Sequence, residues 1–294
     1  MNVLQDVIVL KPDDGDAHAG LGASLALSGQ HDVAIKAFRK AIELNPLEID
    51  TYCRLSESLN ALESFEAAVE VLRAGLEVDA TSADLHCHLG ISLMLLGLLR
   101  PAFEALQYAL QVDDDHQESH YQLGRVLRRL GKISDANEHF RMVIDINPTH
   151  ILARTALAEG AYALGDYNAA HEIYSDALQF DGEDDSLLFG LGVTLLMLRK
   201  PSAAERVFDV LSQLHPSNTR AWLGRGMSAE RQQGGFERAI ASYQSILRFV
   251  DENHFGANIA LANAYAKSAN YHQAVTKYRW CLEKKPTDEN ALVR

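Results

Sequence analysis

Apolar residues between positions 15 and 46 recur at intervals of three or four residues, in two blocks. The apolar positions are Leu21, Leu25, Ile35, Phe38 and Ile42. This interval is typical of one face of an α-helix, and Gly29 between the blocks favours a turn. Pro46 follows the second block, where a residue that cannot continue a helix ends it. The stretch therefore predicts two amphipathic helices joined as a hairpin.

The same pattern recurs along the chain. An alanine of the second helix returns at steps of 34 residues five times and 35 residues twice, at Ala34, Ala68, Ala102, Ala136, Ala170, Ala204, Ala239 and Ala274. A small residue of the first helix returns as Gly22, Ser56, Gly90, Gly124, Ala158, Gly192, Gly226 and Ala262. A bulky residue follows each alanine by four positions, as Phe38, Leu72, Leu106, Phe140, Tyr174, Phe208, Tyr243 and Tyr278. Three classes of position that repeat in one phase predict an array of similar hairpins.

The array resembles the tetratricopeptide repeat family, whose unit is a helix-turn-helix of about 34 residues. Trp222 and Gly226 show the aromatic-to-glycine spacing of that family, and Gly165, Asp166 and Tyr167 reproduce its usual turn. The resemblance implies an all-α fold, a right-handed α-solenoid in which helix-turn-helix repeats stack on their neighbours.

The repeats divide residues 15–288 into eight parts of one predicted solenoid. Their bounds are 15–48, 49–82, 83–116, 117–150, 151–184, 185–218, 219–254 and 255–288. Residues 1–14 match the second helix of a preceding repeat, and residues 289–294 match the start of a further repeat or a cap. Repeat seven departs from the family pattern at Arg225, where leucine is expected.

The chain carries a formal net charge of −13, because 27 lysines and arginines stand against 40 aspartates and glutamates. Such a charge repels phosphate backbones, so we expect no nucleic-acid partner. Many of the acids stand between repeats, where they are interpreted as caps of the following helices. They include Asp13, Asp14, Asp16, Asp113, Asp114, Asp115, Asp181, Glu183, Asp184, Asp185, Asp251 and Glu252.

Residues 89–99 and 187–198 are apolar nearly all round. Both segments are shorter than the roughly 18 to 20 residues that span a bilayer, so we expect no membrane insertion. The first residues have neither the basic start nor the long apolar run of a secretory signal. Three cysteines do not suggest a disulfide framework, which favours free thiols and a cytoplasmic location.

The sequence contains parts of a metal site and of two enzyme motifs, and each lacks a required residue or structural context. Cys53, Cys87 and His88 could offer three ligands to a soft metal, but a fourth is not evident, so we expect no metal or cofactor. A glycine pattern around Gly224 matches a dinucleotide fingerprint, yet it lies on a predicted helix rather than after a strand. His171 begins a zinc-protease pattern that lacks its second histidine. We therefore expect no enzymatic activity.

The resemblance assigns the inner wall of the solenoid to the first helix of every repeat. In repeat four, Arg125, Arg128 and Arg129 are spaced to share one helical face. They could bind an acidic group or a C-terminal carboxylate of a partner. Alternatively, they could form an internal salt-bridge cluster with Glu159 of the next repeat. The residue pattern leaves both alternatives open.

Three repeats place apolar residues on this wall. They are Ile91, Met94 and Leu95 in repeat three, Phe189, Val193, Leu196 and Met197 in repeat six, and Leu223 and Met227 in repeat seven. Either neighbouring parts of a tight superhelix cover these side chains, or they receive the apolar side chains of a partner. Repeats six and seven together are the predicted floor of a binding groove.

The sequence therefore predicts a non-catalytic scaffold that binds a peptide or helix of a partner protein in its concave groove. The lysine and asparagine clamp of repeats that bind chaperone tails is missing, as is the asparagine ladder of glycosyltransferase repeats, so the partner is not identified. Two alternatives remain open. One is a self-assembling module that forms a homo-oligomer through repeat ends, and the other is the targeting arm of a larger enzyme or complex.

Overall fold

The computed structural model describes residues 13–285, and every regular element in this range is an α-helix. The chain divides into two compact units, Met1–His150 and Ile151–Arg294. The predicted elements at residues 1–12 and 286–294, including the partial repeats at both ends, lie outside the described residues. That the eight repeats form one continuous solenoid stays a prediction.

The helices pair as the hairpin pattern predicts. The first unit contains α1 Gly15–Leu27, α2 His31–Leu44, α3 Ile49–Ala61, α4 Phe65–Val78, α5 Ala83–Leu95, α6 Leu99–Val112, α7 Gln117–Arg129 and α8 Ile133–Ile146. The second unit contains α9 Ile151–Ala163, α10 Tyr167–Ala177, α11 Asp185–Met197, α12 Pro201–Leu214, α13 Thr219–Glu230, α14 Phe236–Phe249, α15 Phe255–Lys267 and α16 Tyr271–Lys284. Within each unit, every helix packs against the helices next to it in sequence, which is the arrangement of an all-α solenoid.

The small residue of each first helix is needed because a bulky side chain lies against its backbone. A Cβ atom built on Gly192 would lie 2.5 Å from Phe208 of the same repeat, and one built on Gly124 would lie 2.6 Å from Phe140. Both phenylalanines are fully buried. The repeated glycine and the repeated ring are therefore two halves of one contact between the helices of a hairpin.

The same rings also join one repeat to the next. A Cβ atom on Gly224, in the repeat after Phe208, would again lie 2.5 Å from that ring. Gly190 has the same relation to Tyr174 of the preceding repeat, at 2.4 Å. Phe208 thus fills the space between its own first helix and the next one.

A second recurring contact ties first helices to the loops before them. In four first helices, a polar atom of an aromatic side chain lies within hydrogen-bond distance of the backbone carbonyl six residues earlier. The pairs are Tyr52 with Pro46 at 3.1 Å, His86 with Ala80 at 3.0 Å, His120 with Asp114 at 2.8 Å and Trp222 with Pro216 at 2.9 Å. Because a carbonyl only accepts, the histidine Nε2 atoms donate. The two histidines therefore have the donor role in their repeats that the indole of Trp222 has in repeat seven.

Acidic residues between repeats accept hydrogen bonds from helix N-termini, as the sequence predicts. Asp14 accepts from the backbone N–H of Ala17 at 3.0 Å, and Asp184 accepts from that of Leu187 at 2.8 Å. Asp181 instead accepts from the N–H two residues later, which closes a turn before the helix. The predicted capping role is therefore confirmed for Asp14 and Asp184, whereas Asp181 stabilises the preceding turn.

The irregular repeat seven uses its unexpected arginine to hold two helices together. Arg225 on α13 forms an ion pair with Asp209 on α12, with 3.1 Å between Nη2 and Oδ1. Its guanidinium also lies 5.6 Å from the centre of the Trp222 ring. The arginine therefore supplies a charged contact between helices where the family pattern has an apolar one.

We predict that Gly192→Ala destabilises the protein by about 1 to 3 kcal/mol, because the added methyl group overpacks the space that Phe208 fills. Unfolding in guanidinium chloride with circular dichroism measures the change. Gly182→Ala is the matched control, since a Cβ atom there meets only the Leu178 carbonyl oxygen, at 3.4 Å. Equal stability of the two variants would show that the ring yields and that glycine is not required.

Candidate partner-binding cleft

The six apolar wall residues predicted in repeats six and seven lie around one cleft. Helices α11 and α13 are in contact, and the space over this contact has a volume of about 360 Å³. The lining residues, called here the apolar cleft, are Phe189, Val193, Leu196, Met197, Phe208, Arg220, Leu223, Gly224, Met227 and Arg231. Residues from two repeats thus converge on one surface, as the shared wall position predicts.

The apolar cleft has a buried floor and an exposed rim. Phe208 and Leu196 form the floor, with 0% and 9% of their surface exposed. Met197 and Met227 are 44% and 47% exposed. Phe189 is half-buried and packs edge-to-face on Phe208, with 6.0 Å between ring centroids. Within the second unit, therefore, the two methionines are not covered by neighbouring repeats.

Two arginines that sequence reasoning did not select also line the apolar cleft. The guanidinium of Arg220 lies 5.6 Å from the centre of the Phe189 ring. Arg231 donates from Nη1 to the carbonyl oxygen of Leu196 at 3.3 Å, near the C-terminal end of α11. Carbonyls in the last turn of a helix have no partner within the helix, so a cation there is favourable. Arg231 thereby joins α13 to α11.

A second cleft adjoins the first and shares Phe189, Val193 and Arg220 with it. Its volume is about 400 Å³, and its other lining residues, which with the shared three form the acidic cleft, are Glu159, Tyr162, Tyr174, Asp185, Ser186, Gly190 and Asn218. Asp185 accepts from Nε2 of His215 at 2.7 Å and from Nδ2 of Asn218 at 3.2 Å. The wall of the second unit therefore carries an apolar surface beside a polar one with two carboxylates.

The three arginines of repeat four lie on α7 in the first unit, where Arg125 and Arg129 make defined contacts with other residues. Arg125 donates from Nη1 to Gln122 at 2.8 Å, and its guanidinium lies 5.8 Å from the centre of the Tyr121 ring. Arg129 donates to the carbonyl of Met94 at 3.0 Å. This is the contact that Arg231 makes three repeats later, so Arg129 stabilises the stacking of repeats. Arg128 is exposed.

The apolar wall of repeat three requires one correction. Met94 is 1% exposed and therefore belongs to the core, whereas the sequence placed it on the wall. Leu95 is 39% exposed and Ile91 is half-buried. Successive residues of a helix are turned by about 100°, so a small rotation of α5 exchanges neighbouring positions between core and surface.

Of the residues considered as soft-metal ligands, Cys53 and Cys87 are buried with protonated thiols near neutral pH, and His88 is half-buried. Burial raises the pKa of the Cys53 thiol and that of the Cys87 thiol to about 12, with smaller contributions from nearby carboxylates. Burial also lowers the pKa of His88, against the opposite effect of Glu57. In the described part of the chain, no three His, Cys, Asp or Glu side chains cluster as metal ligands do.

No helix within residues 13–285 has both the length and the apolar character that crossing a bilayer requires.

The high thiol pKa values predict inert cysteines. In a Cys281→Ser variant near pH 8, Cys53 and Cys87 should react with a chromogenic disulfide reagent at least about a hundredfold more slowly than free cysteine, because the thiolate is the reactive form. The same protein in denaturant provides the control, in which both thiols react at the free rate. Rapid reaction of either thiol in the folded protein would contradict the assigned burial.

Five models of the tetratricopeptide repeat match the sequence, at residues 15–47, 49–82, 118–150, 161–226 and 259–292. Together they cover more than half of the chain. A search of curated proteins finds no match.

Solved structures show the same fold at low sequence identity. The C-terminal part of a TPR repeat-containing protein from Cytophaga hutchinsonii is 16% identical with a TM-score of 0.70, over 82% of this chain and 98% of that one. PilF of Pseudomonas aeruginosa is 22% identical with a TM-score of 0.62, over 72% of this chain and 97% of that one. YrrB, described as a TPR protein with an unusual peptide-binding site, is 21% identical with a TM-score of 0.53, over 64% and 96%. At these identities the likeness concerns the fold alone.

Proposed function

Because the chain belongs to the tetratricopeptide repeat family, whose members are generally protein-interaction scaffolds, we propose that it is a non-catalytic scaffold that binds a partner protein. Its concave wall receives a peptide or helix, and the apolar cleft of repeats six and seven takes the main apolar side chains of that segment. The proposal includes a cytoplasmic setting, which the three buried cysteine thiols support.

The observation that carries the proposal is the exposure of Met197 and Met227 on one surface. Two long apolar side chains, each nearly half exposed, rim a cleft with a buried floor. Exposed apolar surface of this kind is typical of interaction sites. Methionine is also flexible, so it adapts to partner side chains of different shapes.

The apolar side chains that the cleft can bury limit the expected affinity for a partner. Burying one large apolar side chain contributes about 1.5 to 3 kcal/mol, while association costs on the order of 4 to 15 kcal/mol before any contact counts. A partner that filled only the apolar cleft would bind weakly. We therefore propose that polar wall residues also contribute, and that Ile91 of repeat three and Arg125, Arg128 and Arg129 of repeat four form a binding surface of their own within the first unit.

The test begins with peptides selected from a displayed library of random sequences on the full-length protein. We predict that Met197→Ser together with Met227→Ser weakens binding of these peptides by at least about 2 kcal/mol, or about thirtyfold, as at an interface hot spot. Thermal stability should change little, because each side chain is nearly half exposed. Phe189 is a poorer choice, since its ring packs on the core residue Phe208.

Met142→Ser is the matched control, because Met142 is 42% exposed but lies on α8, outside both clefts. Isothermal titration calorimetry gives the affinities. Undiminished binding by the double variant would contradict the proposal. Self-assembly through repeat ends is the alternative function, and light scattering that finds an oligomer in both the unaltered protein and the double variant would support it.

A further inference from the structure

We propose that the segment bound by this protein carries a lysine or arginine directly beside its apolar anchor, and that this cation enters the acidic cleft. The inference rests on the proposed function and specifies its partner. The adjoining position of the two clefts is the observation behind it.

The two clefts can be filled by neighbouring side chains of one segment. Phe189, Val193 and Arg220 line both of them, so the apolar surface and the carboxylates lie on either side of the same three side chains. A segment that places an apolar side chain between Met197 and Met227 therefore brings an adjacent side chain to the acidic cleft.

The acidic cleft has the chemistry of a cation site. Glu159 is exposed on α9 and Asp185 is half-buried at the start of α11. Each oxygen of Asp185 accepts one hydrogen bond from the protein, and a carboxylate oxygen has capacity for a second. The half-buried Tyr162 lines the same space, and aromatic rings attract ammonium and guanidinium groups.

Charge over the whole molecule favours the same partner. The chain has 27 basic residues against 40 acidic ones, so its field attracts a basic segment and repels an acidic one. Arg220 is the cation that both clefts share, and its guanidinium is already placed over the Phe189 ring. An acidic segment would gain Arg220 but would meet Glu159 and Asp185, whereas a basic segment meets two carboxylates and one cation.

The experiment uses a library-selected peptide and its copy in which the basic residue is replaced by norleucine, which keeps the aliphatic chain and removes the charge. Selected peptides should be enriched in lysine or arginine next to a large apolar residue. Glu159→Gln should weaken binding of the basic peptide by about two- to fivefold, the range of an exposed ion pair. The same substitution should leave the affinity for the norleucine peptide unchanged, because that peptide has no charge to pair with Glu159.

Glu172→Gln is the matched control, since Glu172 is exposed on α10 of the same repeat and lines neither cleft. Selected peptides that carry acids, and that lose affinity on Arg220→Gln but not on Glu159→Gln, would overturn the inference. If the Met197 and Met227 double variant still abolishes binding in that case, the proposed function stands and only the partner's charge is wrong. If neither the double variant nor Glu159→Gln changes binding, both fail.

Discussion

Contact between a buried ring and a glycine on the facing helix is the constraint on which the rest of the structure depends. The ring of Phe208 lies against Gly192 of its own repeat and Gly224 of the next one, so a single side chain determines two helix separations. Helices pack at distances that their contact residues allow, and here the contact allows close approach. Because the ring comes from the second helix, the core lies between the first and second helices, and the opposite face of a first helix such as α11 retains exposed side chains, among them Met197.

This opposite face of the first helix differs from one repeat to the next. In repeat four it holds arginines, of which Arg129 reaches back to the carbonyl of Met94 and so contributes to stacking. In repeats six and seven it holds apolar side chains that end in the exposed methionines. Arg231 makes the stacking contact there, and the two methionines remain nearly half exposed. The exposed part of this face is available to a partner.

The periodic part of this structure could be predicted from sequence, since the positions of the glycines, the rings and the apolar wall all follow one period. The acidic helix caps were predictable as well, because capping depends on neighbouring residues. The contacts of long side chains could not be predicted. Arg220 and Arg231 lie at the apolar cleft because of the directions that their side chains take, which the repeat spacing does not specify. Met94 was wrongly assigned to the wall because it lies next to the boundary between core and wall, which a small rotation of α5 shifts. The acidic cleft combines residues of three repeats, so no local motif reveals it.

The protein has five methionines, which give a direct measurement of the central claim that the apolar cleft of repeats six and seven binds a partner. Methyl resonances of methionine, labelled with carbon-13, can be followed by NMR as a selected peptide is added. The account predicts that the signals of Met197 and Met227 shift, while those of the buried Met94 and of Met142 on α8 stay in place. Saturation of binding with shifts at Met142 alone, or with no shift at Met197 and Met227, would contradict it.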